Sequence, residues 1–397
     1  MKMRHRRFGA GNLLAWGALL GFAALGFVAA GQAAENRYAL KAATFADLPG
    51  FSSDNHDEAL RAFVSTCASP PRSSSPSVSL LRPDALKKVC AVALLPAAKK
   101  NPKYFFEQHF QPFQVIVDEA SNAFFTGYFQ PEISGSLVRS AAFPTPVYGL
   151  PRDLVVLPSG SRVGRLADLT AARRGADGVL EPYPDRAAID DGALEAGGAR
   201  KLVFLKDRVD LFLAQVQGSA RVQLQDGRVL HLAFAGRNGQ PYVALARILV
   251  QRGVAPASEM TMRRLTDWLR QNGLERGEGG DELLRLNRSY VFFDASFDTK
   301  PNEQPSGSGG ARLSPLRSIA IDSHIWPYGL PFFIDARLPW RGPEADAFQR
   351  LAIAQDTGSA IVGAARADIY FGLGNEAGAR AGEIRHHGRF FVLLPKE

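Results

Sequence analysis

The 397-residue sequence has only two cysteines, Cys67 and Cys90. Two thiolates are too few for a structural zinc site. None precedes Cys67, so a lipid-modified cysteine at a mature N-terminus is not expected. The chain lacks a phosphate-binding loop and a dinucleotide fingerprint. It has no internal repeat and no long low-complexity block. No basic stripe with interleaved aromatics is present, which argues against a nucleic-acid partner. A nucleophile elbow is missing as well, because Ser219 sits in Gln-Gly-Ser-Ala-Arg without the second glycine. His386 and His387 are adjacent and would point apart on a strand, so they do not make a shared metal site. No metal and no cofactor are expected.

The composition that remains is rich in glycine (38), proline (25) and phenylalanine (26), with 46% hydrophobic residues. That mix favours short strands and turns over a helical bundle, in about two domains. Residues 1–34 read as a signal peptide. Lys2, Arg4, Arg6 and Arg7 precede an apolar run from Leu13 to Ala30, and small residues follow to Ala34. Cleavage after Ala33 or Ala34 is one outcome, and an uncleaved membrane anchor is the other. Arg6-Arg7 leaves both general and twin-arginine export open. The expected location is the periplasm. Four of the +8 net charges lie in this segment, so the exported part is only mildly basic, which suits an anionic wall polymer or membrane surface. In an oxidising compartment Cys67 and Cys90 are expected to pair and close a loop through Pro70–Ser79. Such a bridge stabilises by roughly 3 kcal/mol, and two buried thiols are the alternative.

Helical spacing is expected over Asp54–Cys67, from Asp84 to Ala93, over Asn101–Phe113, over Ser258–Gln271 and over Glu278–Asn287. Strands are expected at Gln114–Asp118, Ala123–Gln130, Thr145–Leu150, Leu202–Leu205, Val209–Gly218, Ala220–Leu224, Val229–Ala235 and Tyr290–Phe293. Gln225–Arg228 reads as a hairpin turn. Pro70–Ser77 reads as a solvated linker, and Asp298–Ser314 as a flexible loop. Later strands are expected at Ser318–Asp322, Pro331–Asp335, Ala352–Asp356, Asp368–Gly372 and Phe390–Leu394.

The stretch Ala354–Gly374 carries the clearest chemistry. Asp356 precedes the turn-forming run Thr357-Gly358-Ser359. Asp368 opens a strand among Ala367, Ile369 and Phe371, where poor solvation favours the protonated carboxyl that a general acid needs. A structural aspartate bonded to backbone amides is the competing reading. Side-chain alternation puts Asp368 and Tyr370 on one side of that strand.

This stretch combines with Phe125–Pro131, Tyr183–Arg186, Gln215–Ala220, Ala235–Tyr242, Ser289–Phe293 and Ala320–Asp322. Together they resemble the membrane-bound lytic murein transglycosylase A family, whose C-terminal module carries three aspartates. The resemblance implies a mainly β protein with a double-psi β-barrel domain, a second inserted β domain and a few helices on the N-terminal side. The barrel would take residues 35–137 and 285–397, and the insert residues 138–284. A glycan strand of peptidoglycan would lie in the groove between them. The three aspartates fall on Asp322, Asp356 and Asp368, and the catalytic acid carries over to Asp368. Family residues that differ here stand at Arg288 (a frequent proline), Ser359 (a second glycine) and Val362 (a lysine).

The implied reaction is lytic cleavage of the N-acetylmuramic acid–N-acetylglucosamine bond, with Asp368 as acid and then base. The muramic C6 hydroxyl closes on C1 to give a 1,6-anhydro end, so no water, metal or cofactor enters. Asp356, Asp322, Thr126, Tyr128, Gln217, Ser219 and Tyr370 are expected to bind substrate or support the fold. Peptidoglycan is the expected partner, with other cell-wall enzymes as further partners of a monomer. Two alternatives stay open: a hydrolase with Asp356 as water-activating base, and a non-catalytic glycan-binding barrel.

Overall fold

The computed structural model describes residues 38–69, 84–117, 122–195, 199–297, 303–358 and 360–396. The signal segment, the Pro70–Ser77 linker and Ser359 lie outside the described residues. The fold is mainly β, as expected. Six strands close into a double-psi barrel in the order Arg385–Pro395, Pro331–Leu338, Asp346–Asp356, Ser318–Ala320, Arg366–Leu373 and Ala123–Gln130, which pairs back with the first. Two of these contacts are parallel, joining Ser318–Ala320 to Asp346–Asp356 and Arg366–Leu373 to Ala123–Gln130. Ala39–Ala42 and Phe110–Ile116 extend the sheet on the outside of Arg385–Pro395.

The barrel closes around an apolar interior. Phe125, Ile319, Phe332, Ile334, Ala352, Ile369 and Phe390 are buried together there. Phe332 and Phe390 stack with ring centroids 4.6 Å apart. The helix Gly374–Gly382 lies across the Ala123–Gln130 strand, and a Cβ at Gly127 would come within 2.8 Å of the Ala381 backbone. Gly127 is therefore a close-approach position that admits no side chain without moving the helix.

A second sheet of six strands runs Val291–Phe297, Val229–Arg237, Ser219–Leu224, Glu132–Ser136, Lys201–Leu205 and Thr145–Tyr148. It reaches back to Glu132 and forward to Phe297, beyond the 138–284 window set by sequence. Its motif segments are tied to one another from within. Arg186, 2% exposed, donates to Gln215 Oε1 at 2.6 Å and to the carbonyls of Asn287 and Ser289 at 3.0 and 2.8 Å. Asn238 Nδ2 donates to the carbonyls of Pro184 and Arg288 at 3.0 and 2.9 Å, and Gln240 Nε2 to that of Tyr183 at 2.7 Å.

Three sequence expectations need correction. Val209–Gly218 is no strand: Arg208–Gln217 is a helix. Its Asp207 cap accepts from Asp210 N at 2.8 Å and its end is Gly218 at φ +75°. The alternation of Val209, Leu211 and Leu213 imitates a strand, but Val209 and Phe212 bury against neighbouring helices while Leu211 and Ala214 bury against the sheet. Second, the helix expected over Asn101–Phe113 ends at His109, and Phe110–Ile116 is strand. Third, Asp298–Ser314 is not wholly free loop. Residues 298–302 lie outside the described residues, but 303–314 is hydrogen-bonded to the barrel.

The N-terminal helix His56–Cys67 is joined to Ala85–Ala93 by a Cys67–Cys90 disulfide. It is fastened to the barrel by Arg317, 1% exposed, which bonds both oxygens of Asp54 at 2.9 and 2.8 Å and Glu58 at 3.1 Å. Removing one partner of a buried pair leaves the other charge uncompensated. Replacement of Arg317 by Met is expected to lower unfolding stability by about 3 kcal/mol. Arg61→Met, at an exposed pair with Asp57, is expected to change it by less than about 1 kcal/mol. Denaturant titration compares the two.

Candidate active site

The site grows out of strand alternation on the barrel wall. Ala367, Ile369 and Phe371 face the barrel interior. Their neighbours Arg366, Asp368 and Tyr370 therefore project to the outside. On the adjacent parallel strand Phe125 and Phe129 face in, and Thr126 and Tyr128 face out. Register places Thr126 opposite Asp368 and Tyr128 opposite Tyr370. Ala320 is the register partner of both Asp356 and Asp368. The two acids are thus separated by a single intervening strand, roughly 10 Å between backbones.

Asp368 is half-buried rather than sunk in the barrel. The Thr126 hydroxyl donates to its Oδ1, and Arg366 Nη2 donates to Thr126 Oγ1 at 2.7 Å. Burial pushes the Asp368 carboxyl up to about 6. Arg366 and the Thr126 hydroxyl pull the other way, and Asp356 adds a smaller upward push. Desolvation dominates because it penalises the charged form.

Asp356 is held very differently. Its Oδ1 accepts from Ser308 N at 2.9 Å, Ser308 Oγ at 2.8 Å and Thr357 N at 2.9 Å. Its Oδ2 accepts from Tyr128 Oη at 3.0 Å. Burial raises its pKa, and the Ser308, Thr357 and Tyr128 bonds oppose the rise. These four donors favour the ionised form without outweighing burial. Tyr128 and Tyr370 have ring centroids 5.2 Å apart, and Tyr370 Oη donates to Gln304 Oε1 at 2.9 Å. Burial first, and the nearby Asp356 second, hold both phenols well above their ordinary range.

The remaining expected residues divide. Gln217 Oε1 accepts from Phe129 N at 3.1 Å and so fastens the inserted part to the site strand. Gln217 also lines, with Thr126, Phe129, Met262 and Ile384, a cavity of about 190 Å³ beside that strand. Ser219 opens the strand Ser219–Leu224. Asp322, 4% exposed, binds a turn instead of joining the cluster. Its oxygens accept from His324 N at 3.1 Å and Gly363 N at 2.8 Å. Val362 is exposed on the connection between Asp356 and Asp368.

Three site residues were missed from sequence. Arg366 lies two positions before Asp368, and alternation alone would have put it on the same face. Ser308 and Gln304 lie in a segment whose Pro/Gly/Ser content signals only a loop.

Comparison with known proteins adds a frame. The MltA specific insert domain matches residues 124–294, and the 3D domain matches residues 317–394, which hold Asp322, Asp356 and Asp368. A membrane-bound lytic murein transglycosylase A from Vibrio cholerae is 32% identical over 282 residues, covering 70% of this chain and 66% of its own length. The chain thus spans just under two thirds of that relative. The crystal structure of a membrane-bound lytic murein transglycosylase from Agrobacterium tumefaciens is 30% identical, with a TM-score of 0.79, covering 90% of this chain and 98% of that one. Escherichia coli MltA with bound chitohexaose is 25% identical with a TM-score of 0.62, covering 87% of this chain and 91% of that one. The insert and the aspartate-bearing barrel are matched together and along nearly the whole of a solved relative, so this chain belongs to the membrane-bound lytic murein transglycosylase A family.

Proposed function

We propose that the protein is an exported peptidoglycan lytic transglycosylase. It cleaves the β-1,4 bond between N-acetylmuramic acid and N-acetylglucosamine and leaves a 1,6-anhydromuramic end. The observation that carries this reading is the contrast between two carboxyls. Asp368 is partly accessible, poorly hydrated and held by one hydroxyl donor. Asp356 accepts from four donors. One acid held by a single donor, beside a second tied to its surroundings by four, suits a reaction with a single catalytic carboxyl. It is poorly suited to an acid–base pair sharing a hydrolysis.

Asp368 gives its proton to the glycosidic oxygen, and the C1–O bond breaks as positive charge develops on the muramic ring. The resulting carboxylate takes the proton from the C6 hydroxyl, whose oxygen forms the new bond to C1. Proton balance closes on Asp368 itself. The nucleophile is part of the substrate, so most of the entropy of bringing it to C1 is already lost. Tyr128 and Gln304 form the polar wall beside the acid and supply hydrogen-bonding groups for sugar hydroxyls, while Tyr370, 1% exposed, backs Gln304 from beneath. Asp356 orients Tyr128 and the Ser308 segment. A chitohexaose-bound relative supports a β-linked amino-sugar chain as the ligand.

The barrel and the sheet from Glu132 to Phe297 form the two domains of this proposal, with the glycan between them. Activity is assigned to the periplasm and to a monomer. No helix among the described residues is long and apolar enough to cross a membrane, and the apolar run Leu13–Ala30 lies outside them.

Asp368→Asn is expected to cut release of anhydromuropeptides from purified sacculi by at least about a hundredfold, while sacculus binding in a pelleting assay persists. Water-terminated reducing ends in the mass spectrum of wild-type products would favour the hydrolase instead. The pH dependence has a fixed sign. The acid must carry its proton, so turnover is expected on a plateau below the Asp368 midpoint and to fall as pH rises through about 6. Initial rates of anhydro-end formation across that interval check it, and a rate that stays level well above the midpoint would contradict it.

A further inference from the structure

Arg366 reaches Thr126 and not the acid itself, and this geometry fixes which oxygen of Asp368 is free. Nη2 donates to Thr126 Oγ1 at 2.7 Å. Nη1 donates to the carbonyls of Ala367 and Phe124 at 2.5 and 3.5 Å. The guanidinium lies 5.2 Å from the centroid of the Phe124 ring. It is thus pinned on several sides. A guanidinium has donors only, so Thr126 Oγ1 must accept from it. A threonine hydroxyl carries one hydrogen and two lone pairs, and with Arg366 held on one lone pair the acceptor within reach of that hydrogen is Asp368 Oδ1.

We propose that Arg366 is a positioning residue: by holding the Thr126 hydroxyl as a donor to Asp368 Oδ1, it confines the catalytic proton to Oδ2, the oxygen presented to the glycosidic bond. The proposal rests on Asp368 being the acid of the lytic reaction, and it adds a specific oxygen and a partner that sets it. Without Arg366 the hydroxyl is free to rotate and accept from the carboxyl, and the acid divides its proton between two oxygens. Arg366 also favours the ionised acid through its charge.

The other charged or titratable groups around Asp368 are Tyr370 on its own strand, Tyr128 beside Thr126, and Asp356 beyond Ala320. The Arg385–Pro395 strand brings Arg385 and His387. Arg385 donates to the carbonyls of Ala257 and Met260 at 3.0 and 2.6 Å, and His387 packs on Phe124 at 5.1 Å. In the covering segment Glu303 is paired with Arg312. Arg366 is the cation of this set that engages the Thr126 hydroxyl.

The test compares wild type, Arg366→Met, Arg366→Lys, Thr126→Val and the Thr126→Val/Arg366→Met double variant for anhydro-end formation against pH. Arg366→Met is expected to lower the acid plateau about tenfold and to move the alkaline limb up by about one pH unit, because a cation that favoured the carboxylate is gone. Arg366→Lys restores the limb to its wild-type position. Thr126→Val alone lowers the plateau by a similar factor, and adding Arg366→Met to it costs no further plateau rate. An unmoved limb in Arg366→Met, or plateau losses that multiply in the double variant, overturns the proposal. Should Arg366→Met fail to fold by circular dichroism, Thr126→Val decides, since full plateau rate there refutes the relay. A wild type that yields no anhydro ends brings down the lytic reading itself, a result distinct from a wild type that does and variants that behave alike.

Discussion

The site depends on the packing of Ala367, Ile369 and Phe371 inside the barrel. Once those three side chains are sunk in the interior, strand geometry sends Arg366, Asp368 and Tyr370 to the outer face. The same constraint on Phe125 and Phe129 brings Thr126 and Tyr128 alongside them. A one-residue slip of either strand would reverse every one of these placements. The parallel register of the two strands then decides the chemistry, because it sets Thr126 opposite Asp368. What raises the acid is the partial loss of water on that face, opposed by a hydroxyl and a nearby cation that fall short of cancelling it.

The rest of the molecule positions this wall and covers it. Arg186, Asn238 and Gln240 knot the motif segments of the second sheet to one another, largely through backbone carbonyls. Cation–π contacts of Arg186 with Phe212 and Tyr290, at 5.7 and 5.3 Å, add to the same knot. These segments mark a buried scaffold, and Gln217 at the end of the Arg208–Gln217 helix is where that scaffold touches the site strand. From the other side, Ser308 and Gln304 lay a short segment over Asp356 and Tyr370. The acid therefore sits between a rigid barrel wall and elements contributed from far away in sequence.

Much of this is legible in the sequence. Strand alternation put Asp368 and Tyr370 on one face, and the apolar neighbours of Asp368 gave the direction of its shift. The misreadings have physical causes. Val209, Leu211 and Leu213 alternate as a strand would, but the Asp207 cap and Gly218 terminator enclose a helix buried on two sides. The helix Gly374–Gly382 holds three glycines, a poor helix composition, yet the barrel end needs small residues so that Ala381 and Gly378 can approach Gly127 and Phe129. Ser308 gave no signal at all, since its role comes from its bonds to Asp356, 48 residues further along the chain.

The central claim is that Asp368 keeps its proton well above the ordinary carboxyl range because its face of the barrel is poorly hydrated. Difference infrared spectroscopy of the free enzyme against Asp368→Asn reads this directly as a protonated-carboxyl band present in one protein and absent from the other. The account predicts that this band bleaches with a midpoint of about 6. A midpoint near the unperturbed aspartate value of about 4, or no carboxyl band lost on substitution, would contradict it.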